Sequence, residues 1–195
     1  MNISKKRLQL YRIVAIGLMA ALVYLGNYLQ IKIPNGILVT RIHLGNSMCL
    51  LAGLLFGGLS GGLSSGIGAA LFDLFDPVYI TSAPYTFISK FAMGFTAGKL
   101  RRTSDDKAVV IISAAVGQLV YIVLYLLKVY FSMVIVGSTQ QAALAAVGTS
   151  AVTSSINGVL AIIISVPLYF AIKAALKSTS IYALIDNNSA QPVQG

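Results

Sequence analysis

The sequence predicts an all-α membrane protein, a six-transmembrane-helix bundle with both termini cytoplasmic, and three observations carry that prediction. Apolar residues make up 57% of the 195-residue chain and charged residues only 10%. A soluble domain carries roughly 25% charged residues, so this chain lacks the charge to cover a water-facing surface. The apolar residues fall into six runs, and the basic residues gather at alternate ends of those runs.

The first run, 9–30, follows Lys5, Lys6 and Arg7 and so imitates a signal peptide. It continues to Leu29, however, with Tyr24, Asn27 and Tyr28 at its end, and no small-x-small site closes a short core. It reads as a retained first span. Residues 31–43 carry Pro34-Asn35-Gly36, a turn signal between alternating apolar residues, and predict a short hairpin.

Runs 44–57 and 59–75 are interrupted by Gly53, Gly57, Gly58, Gly61, Gly62, Gly66 and Gly68. One helix through both would be about 45 Å long, more than the ~30 Å hydrocarbon core. A helical hairpin turning within Gly57–Gly62 is therefore expected. A loop at 76–84, bounded by Pro77 and Pro84, precedes run 84–100; run 108–132, a small and weakly polar loop at 133–147, and run 148–172 complete the series. Residues 1–185 read as one membrane domain. Residues 186–195 are polar with no apolar face and are expected to be a disordered tail.

The charge map fixes the expected orientation. With the N-terminus inside, ten of the fourteen bases are cytoplasmic: Lys5, Lys6, Arg7, Arg12, Lys99, Arg101, Arg102, Lys107, Lys173 and Lys177. Lys32, Arg41 and Lys128 fall outside, and Lys90 lies within a run. That asymmetry follows the positive-inside rule. An odd number of spans would move Lys173 and Lys177 outside and weaken it.

The net charge of +9 reflects these flanking bases and their attraction to anionic lipid, not nucleic-acid binding. No stretch interleaves aromatic and basic residues as single-strand binders do. Cys49 has no partner for an intrachain disulfide and reads as a small core residue. One histidine and no glutamate leave no metal-ligand cluster, and no Walker A sequence is present. No metal and no cofactor is expected.

Ionisable groups inside a span are functional candidates by default. Lys90 lies about six residues into the fourth run, roughly 9 Å along the axis from its outer end. Asp73 and Asp76 close the third run at that level. Three readings of Lys90 stand: a Lys–Asp pair that neutralises itself, a donor to a bound solute, or a side chain snorkelling to the headgroups. Asn46, Gln118, Ser154 and Asn157 serve either as interhelical hydrogen-bonding groups or as ligand contacts. Tyr121 and Tyr125, four apart, share a helix face and read as an interface belt or as the wall of a pocket for an aromatic solute. Arg41 and His43 precede the second run, where an interfacial anchor is favoured over a binding role. Gly17 and Ala21 form a small-x-x-x-small step that permits close helix approach.

The run from Arg41 to Leu100 resembles the substrate-binding S-components of energy-coupling factor (ECF) vitamin transporters, in the riboflavin-type superfamily. The features that carry the resemblance are Leu44-Gly45-Asn46, Leu51–Gly57, Gly66-Ile67-Gly68, Leu71-Phe72-Asp73-Leu74, and Pro84 to Gly94 with Thr86 and Lys90. More loosely, Gly17 and Ala21 suit the docking motif of the first helix, and Asn157 suits an asparagine usual in the sixth. The resemblance implies a bundle with a solute pocket near the outer face of a bacterial cell membrane, covered by the loop between the first two helices. It adds weight to Lys90, Asp73, Asn46, Thr86 and Asn157 as substrate-binding residues, to which the residue chemistry above adds Tyr121, Tyr125 and His43 as candidates. It also implies partners: a vitamin-like heterocycle, of the vitamin B6 or hydroxymethylpyrimidine type before riboflavin, a transmembrane coupling protein and two cytoplasmic ATPases. Lys128 departs from relatives that often carry an acidic residue there. A membrane-embedded lipid-modifying enzyme is the rival class, although only Asp73, Asp76, Lys90 and His43 are available as acid or base. A scaffold subunit without ligand is the third. The expectation is a transport subunit, not an enzyme.

Overall fold

The computed structural model describes residues 5–35, 38–102, 104–177 and 179. Helix α1 (Lys5–Tyr28) leads into strands β1 (Gln30–Asn35) and β2 (Leu38–His43), followed by α2 (Gly45–Phe75), a 3-10 turn (Ile80–Ser82), α3 (Ala83–Arg101), α4 (Lys107–Ile135) and α5 (Gln140–Leu176). The strands pair antiparallel, from Gln30 opposite His43 to Asn35 opposite Leu38, so the hairpin expected at 31–43 is present. Its tip at Gly36 and the expected disordered tail at 186–195 lie outside the described residues.

Among the described residues four helices are long and apolar enough to cross a membrane: α1 over Gln9–Tyr28, α2, α4 and α5. Helix α3, expected as an apolar run over 84–100, does not qualify, because Lys90, Lys99 and several small polar residues lower its hydropathy. Helix α2 occupies the centre. Its apolar window is 72% buried, against 22% for α1 and α5 and 33% for α4.

Helix α2 is not straight. Gly57 adopts φ 78° and ψ −176°, a conformation open to glycine because it lacks a Cβ. The chain reverses there: Ser65 Oγ donates to the Cys49 carbonyl at 3.1 Å. Sixteen residues of unbroken helix would hold those groups about 24 Å apart. Gly53 and Gly61 meet across the turn, where a Cβ on Gly61 would stand 2.4 Å from Gly53 Cα. The expected helical hairpin is therefore observed, with its turn at Gly57.

Such a turn frees backbone carbonyls, and Arg101 takes them up. This side chain, 1% exposed, donates from Nε to Leu54 O at 2.6 Å and from Nη2 to Leu55 O at 3.2 Å. Nη1 reaches Asp105 at 3.2 Å, and Asp105 also accepts from Tyr169 Oη at 2.7 Å and from Lys173 Nζ. Burial alone would raise the Asp105 carboxyl; the hydrogen bonds from Lys173 and Tyr169 and the charge of Arg101 outweigh it and hold it below the usual carboxylate range. The Gly57 end of the bundle is thus locked by a compact charge network.

Helix α3 packs against the second arm of α2 through a matched pattern. Phe87, Phe91 and Phe95 stack along one face, with successive centroids 6.1 and 5.7 Å apart. They fill notches at Gly66, Gly62 and Gly58, where a Cβ would come within 3.0, 3.0 and 3.1 Å of a neighbour. The glycine run is therefore a packing surface inside the bundle.

The weakly polar segment 133–147 is expected as a loop, but α5 begins at Gln140. Its alanine-rich start favours helix. Thr139 Oγ1 accepts from Ala142 N–H at 3.3 Å and caps it, while Gly137 at φ 77° turns the chain. The extra turns of α5 give the β-hairpin a surface to lie on. Asn35 Nδ2 donates to Ala146 O at 2.9 Å and Ser150 Oγ at 3.0 Å, and Thr40 and Thr153 share a hydrogen bond of 3.0 Å.

Candidate functional site

Beneath the β-hairpin the helices leave a cavity. Strand β2 supplies Thr40, Arg41 and His43, α2 supplies Asp73, and the turn before α3 supplies Tyr79 and Ser82. Helix α3 adds Tyr85, Thr86, Ser89 and Lys90; α4 adds Tyr121, Tyr125 and Lys128; α5 adds Ser154 and Asn157. Its volume is about 40 Å³. A water needs about 10–15 Å³ measured this way, so the closed cavity holds roughly three waters. A second cavity of about 100 Å³ adjoins it, sharing Val39, Tyr79, Ser82, Tyr125 and Lys128 as the dividing wall.

Of the three readings of Lys90, the self-neutralising pair with Asp73 does not form. Asp73, 1% exposed, accepts from Arg41 Nη2 on Oδ1 at 2.8 Å and from Thr86 Oγ1 on Oδ2 at 2.5 Å. Lys90 is equally buried but donates to Asn46 Oδ1, and its ammonium stands 3.7 Å from the centroid of the Tyr121 ring. Asn46 is held in turn by Nδ2 donating to Gln118 Oε1 at 3.4 Å. With 1% exposure, Lys90 does not snorkel.

Tyr121 and Tyr125 stack at 5.8 Å with 12° between their planes, and Tyr125 Oη donates to Thr40 Oγ1 at 3.2 Å. Both rings line the cavity. Asn157 is the pivot between β2 and α5: its Oδ1 accepts from His43 N–H at 2.9 Å and its Nδ2 donates to Arg41 O at 2.7 Å. His43 Nδ1 accepts from Gly45 N–H at 3.1 Å, which assigns the ring proton to Nε2. Burial, then the charges of Lys90 and Arg41, hold this imidazole well below its ordinary pKa and so neutral.

The structure gathers seven of the eight expected binding residues at the cavity wall: Lys90, Asp73, Thr86, Asn157, Tyr121, Tyr125 and His43. Asn46 stands behind Lys90. Sequence reasoning placed Arg41 with the membrane anchors, whereas it is central: its guanidinium lies 4.1 Å from the Tyr79 centroid and 5.0 Å from that of Phe72. Tyr79, Ser82, Tyr85, Ser89 and Lys128 were also missed as wall residues. Burial pushes the Tyr79 hydroxyl up to about 12, Arg41 opposing the shift, and that hydroxyl has no partner. The signal for Arg41 and Tyr79 was the pair of loops at 31–43 and 76–84, which fold over the same end.

The one carboxylate of the cavity accepts a hydrogen bond on each oxygen, and among the described residues no group of three or more His, Cys, Asp or Glu could hold a metal ion. Gly-x-Ser-x-Gly occurs twice, around Ser60 and Ser64, but in the helical arm of α2, with Ser64 Oγ donating to Ser60 O at 2.9 Å, not on the sharp strand-to-helix turn that exposes a nucleophile. Elsewhere, Gly17 and Ala21 line an open, almost wholly apolar groove with Ala20, Tyr24, Ile67, Leu71 and Phe75, and a Cβ at Gly17 would meet nothing within 4 Å.

The family model described as "ECF-type riboflavin transporter, S component" matches residues 7–174. No curated protein matches the chain. Two solved structures share the fold. One, from work on the structure and mechanism of the S component of a bacterial ECF transporter, has 18% identity and a TM-score of 0.68, covering 87% of this chain and 99% of its own. The other, an S-component for biotin from an ECF-type ABC transporter, has 19% identity and a TM-score of 0.68, covering 95% and 100%.

Proposed function

We propose that this chain, which belongs to the ECF-type riboflavin transporter S component family, captures a small vitamin-like heterocycle in the cavity under its β-hairpin and presents it for import. The observation that carries this reading is the buried Lys90. A lysine held in the apolar layer by a neutral amide oxygen and a ring is kept at a substantial desolvation cost, which an outward-opening binding site explains. The paired Tyr121 and Tyr125 supply a flat wall for a ring. We place a single heterocycle of the vitamin B6 or hydroxymethylpyrimidine type before riboflavin, because the smaller ring asks the smaller expansion of a cavity that holds about three waters. Admitting even that ligand requires the hairpin to lift.

Taking the two arms of α2 as separate spans, and α3 as a fourth span shielded by its neighbours, gives six spans with both termini on the Gly57 side. The cationic ends of α3, α4 and α5 then face the cytoplasm, and the hairpin faces out. The Gly17–Ala21 groove is the surface we assign to a transmembrane coupling protein, which two cytoplasmic ATPases would drive. The chain itself is read as non-enzymatic, since Asp73 is tied to Arg41 and Thr86. Mass spectrometry of solute retained through mild detergent purification tests the reading. A vitamin-sized heterocycle should co-purify with wild type and be lost from Lys90→Ala; retention undiminished in that variant removes Lys90 from the site.

A further inference from the structure

We propose that the captured solute is an anion, a small ring bearing a carboxylate that sits among Lys90, Lys128 and Arg41; this rests on the reading of the chain as a solute-binding subunit. The charge inventory of the cavity carries the inference. Three cations and a single carboxylate line it. Both oxygens of that carboxylate, on Asp73, are already occupied by Arg41 Nη2 and Thr86.

Lys90 and Lys128 have only neutral partners. Lys90 has the Asn46 amide oxygen and the Tyr121 ring, and Lys128 has the Ser82 hydroxyl at 2.7 Å. Among the described residues the ion pairs are Lys32–Asp76, Arg41–Asp73, Arg101–Asp105 and Lys173–Asp105, so neither lysine has a carboxylate within reach. Arg41 Nη1 is buried with no hydrogen-bond partner.

The other end of the bundle shows what the chain does with buried cations when no ligand is involved. There, Arg101 and Lys173 converge on Asp105, and the fold supplies its own counter-ion. Under the hairpin the one carboxylate, Asp73, pairs with Arg41 and leaves both lysines without an ion-pair partner of their own. Buried charges are tolerated when paired and hydrogen-bonded. A carboxylate has two oxygens and about four acceptor directions, enough for an ammonium and a guanidinium N–H together. A cationic solute would meet net repulsion, and a neutral one would leave the excess charge unmatched.

The test is isothermal titration of the full-length protein in detergent with ring pairs that differ only in this group. The pairs are 4-pyridoxic acid against pyridoxine, and 4-amino-2-methylpyrimidine-5-carboxylate against its 5-hydroxymethyl twin, with riboflavin alongside. At pH 7 the acid of any ring that binds should bind at least about tenfold more tightly than its alcohol, the difference expected of one charge-assisted hydrogen bond. Lys128→Met, at the partly exposed rim, should weaken the acid by at least about tenfold and the alcohol by less, shrinking the preference; Lys90→Met should weaken both but the acid by the larger factor. A purely structural lysine would move both members of a pair alike, which overturns the proposal. So does tighter binding of an alcohol or of riboflavin, though these leave the solute-binding reading intact. If none binds, the charge of the co-purifying solute decides, an acid supporting the proposal and a neutral or cationic solute overturning it. If none binds and nothing co-purifies, the underlying reading falls as well.

Discussion

Asn157→Ala isolates the contact that closes the hairpin. The carboxamide bridges two backbone groups of β2, accepting from His43 N–H at 2.9 Å and donating to Arg41 O at 2.7 Å. Truncation leaves both groups without that partner under a closed hairpin. An unsatisfied buried group costs about 1–3 kcal/mol. Water enters as the hairpin lifts, so the low end applies, about 1 kcal/mol for each group and about 2 kcal/mol for the closed state. At 1.4 kcal/mol per factor of ten, the closed population falls roughly 30-fold relative to the open one. The solute that co-purifies should therefore dissociate about 30-fold faster by stopped-flow, with its association rate changed less than about threefold. Thr149→Ala, an exposed substitution whose hydroxyl bonds only its own helix, is the control. An off-rate in Asn157→Ala within about threefold of wild type, in a protein of unchanged helicity, would refute the idea that this residue latches the site.

Further outcomes follow from other contacts. The Asp105 carboxyl sits below its ordinary range, so the stability it contributes is complete above the unfolded-state value of roughly 4 and is lost as pH falls through the lower folded-state value. Thermal unfolding in detergent should show that acid limb in wild type and a flatter one in Asp105→Asn. Gly62→Ala places a Cβ 3.0 Å from the Phe91 ring and carbonyl and should cost about 1–3 kcal/mol by overpacking, lowering Tm, whereas Gly17→Ala should leave Tm unchanged. In a Cys49→Ser background, Val136→Cys should react with an impermeant maleimide from outside intact cells and Ser104→Cys only after permeabilisation; the reverse pattern would invert the orientation.

Much of the scaffold was legible because it follows from one-dimensional patterns. The length of the apolar stretch over 44–75 exceeded what a bilayer accommodates, and its glycines marked where it folds back; Gly57 takes the one conformation there that other residues resist. The hairpin at 31–43 was written in Pro34-Asn35 and its alternating flanks. The start of α5 was not legible by hydropathy, because Gln140–Ala146 is weakly polar yet alanine-rich, and helix propensity rather than apolarity decides it.

The electrostatics of the site were misread for a different reason. Pairing Lys90 with Asp73 was sound on depth alone, since both lie near the same end of adjacent helices. The partner of Asp73 is instead decided by the register of β2, which alternates Thr40 and Ile42 with Arg41 and His43 and is pinned to α5 by Asn157. With Arg41 delivered to Asp73, the only carboxylate of the cavity is consumed by a residue from the covering loop. Lifting the hairpin to admit a solute must then disturb the Arg41–Asp73 pair as well as the Asn157 bridge, so opening exposes a carboxylate and a guanidinium that only reclosure can pair again. Closure and charge balance are in this way the same event. An anion resting on Lys90 and Lys128 would add a second acceptor for Arg41, whose Nη1 is buried without a hydrogen bond, and so would favour the closed hairpin further.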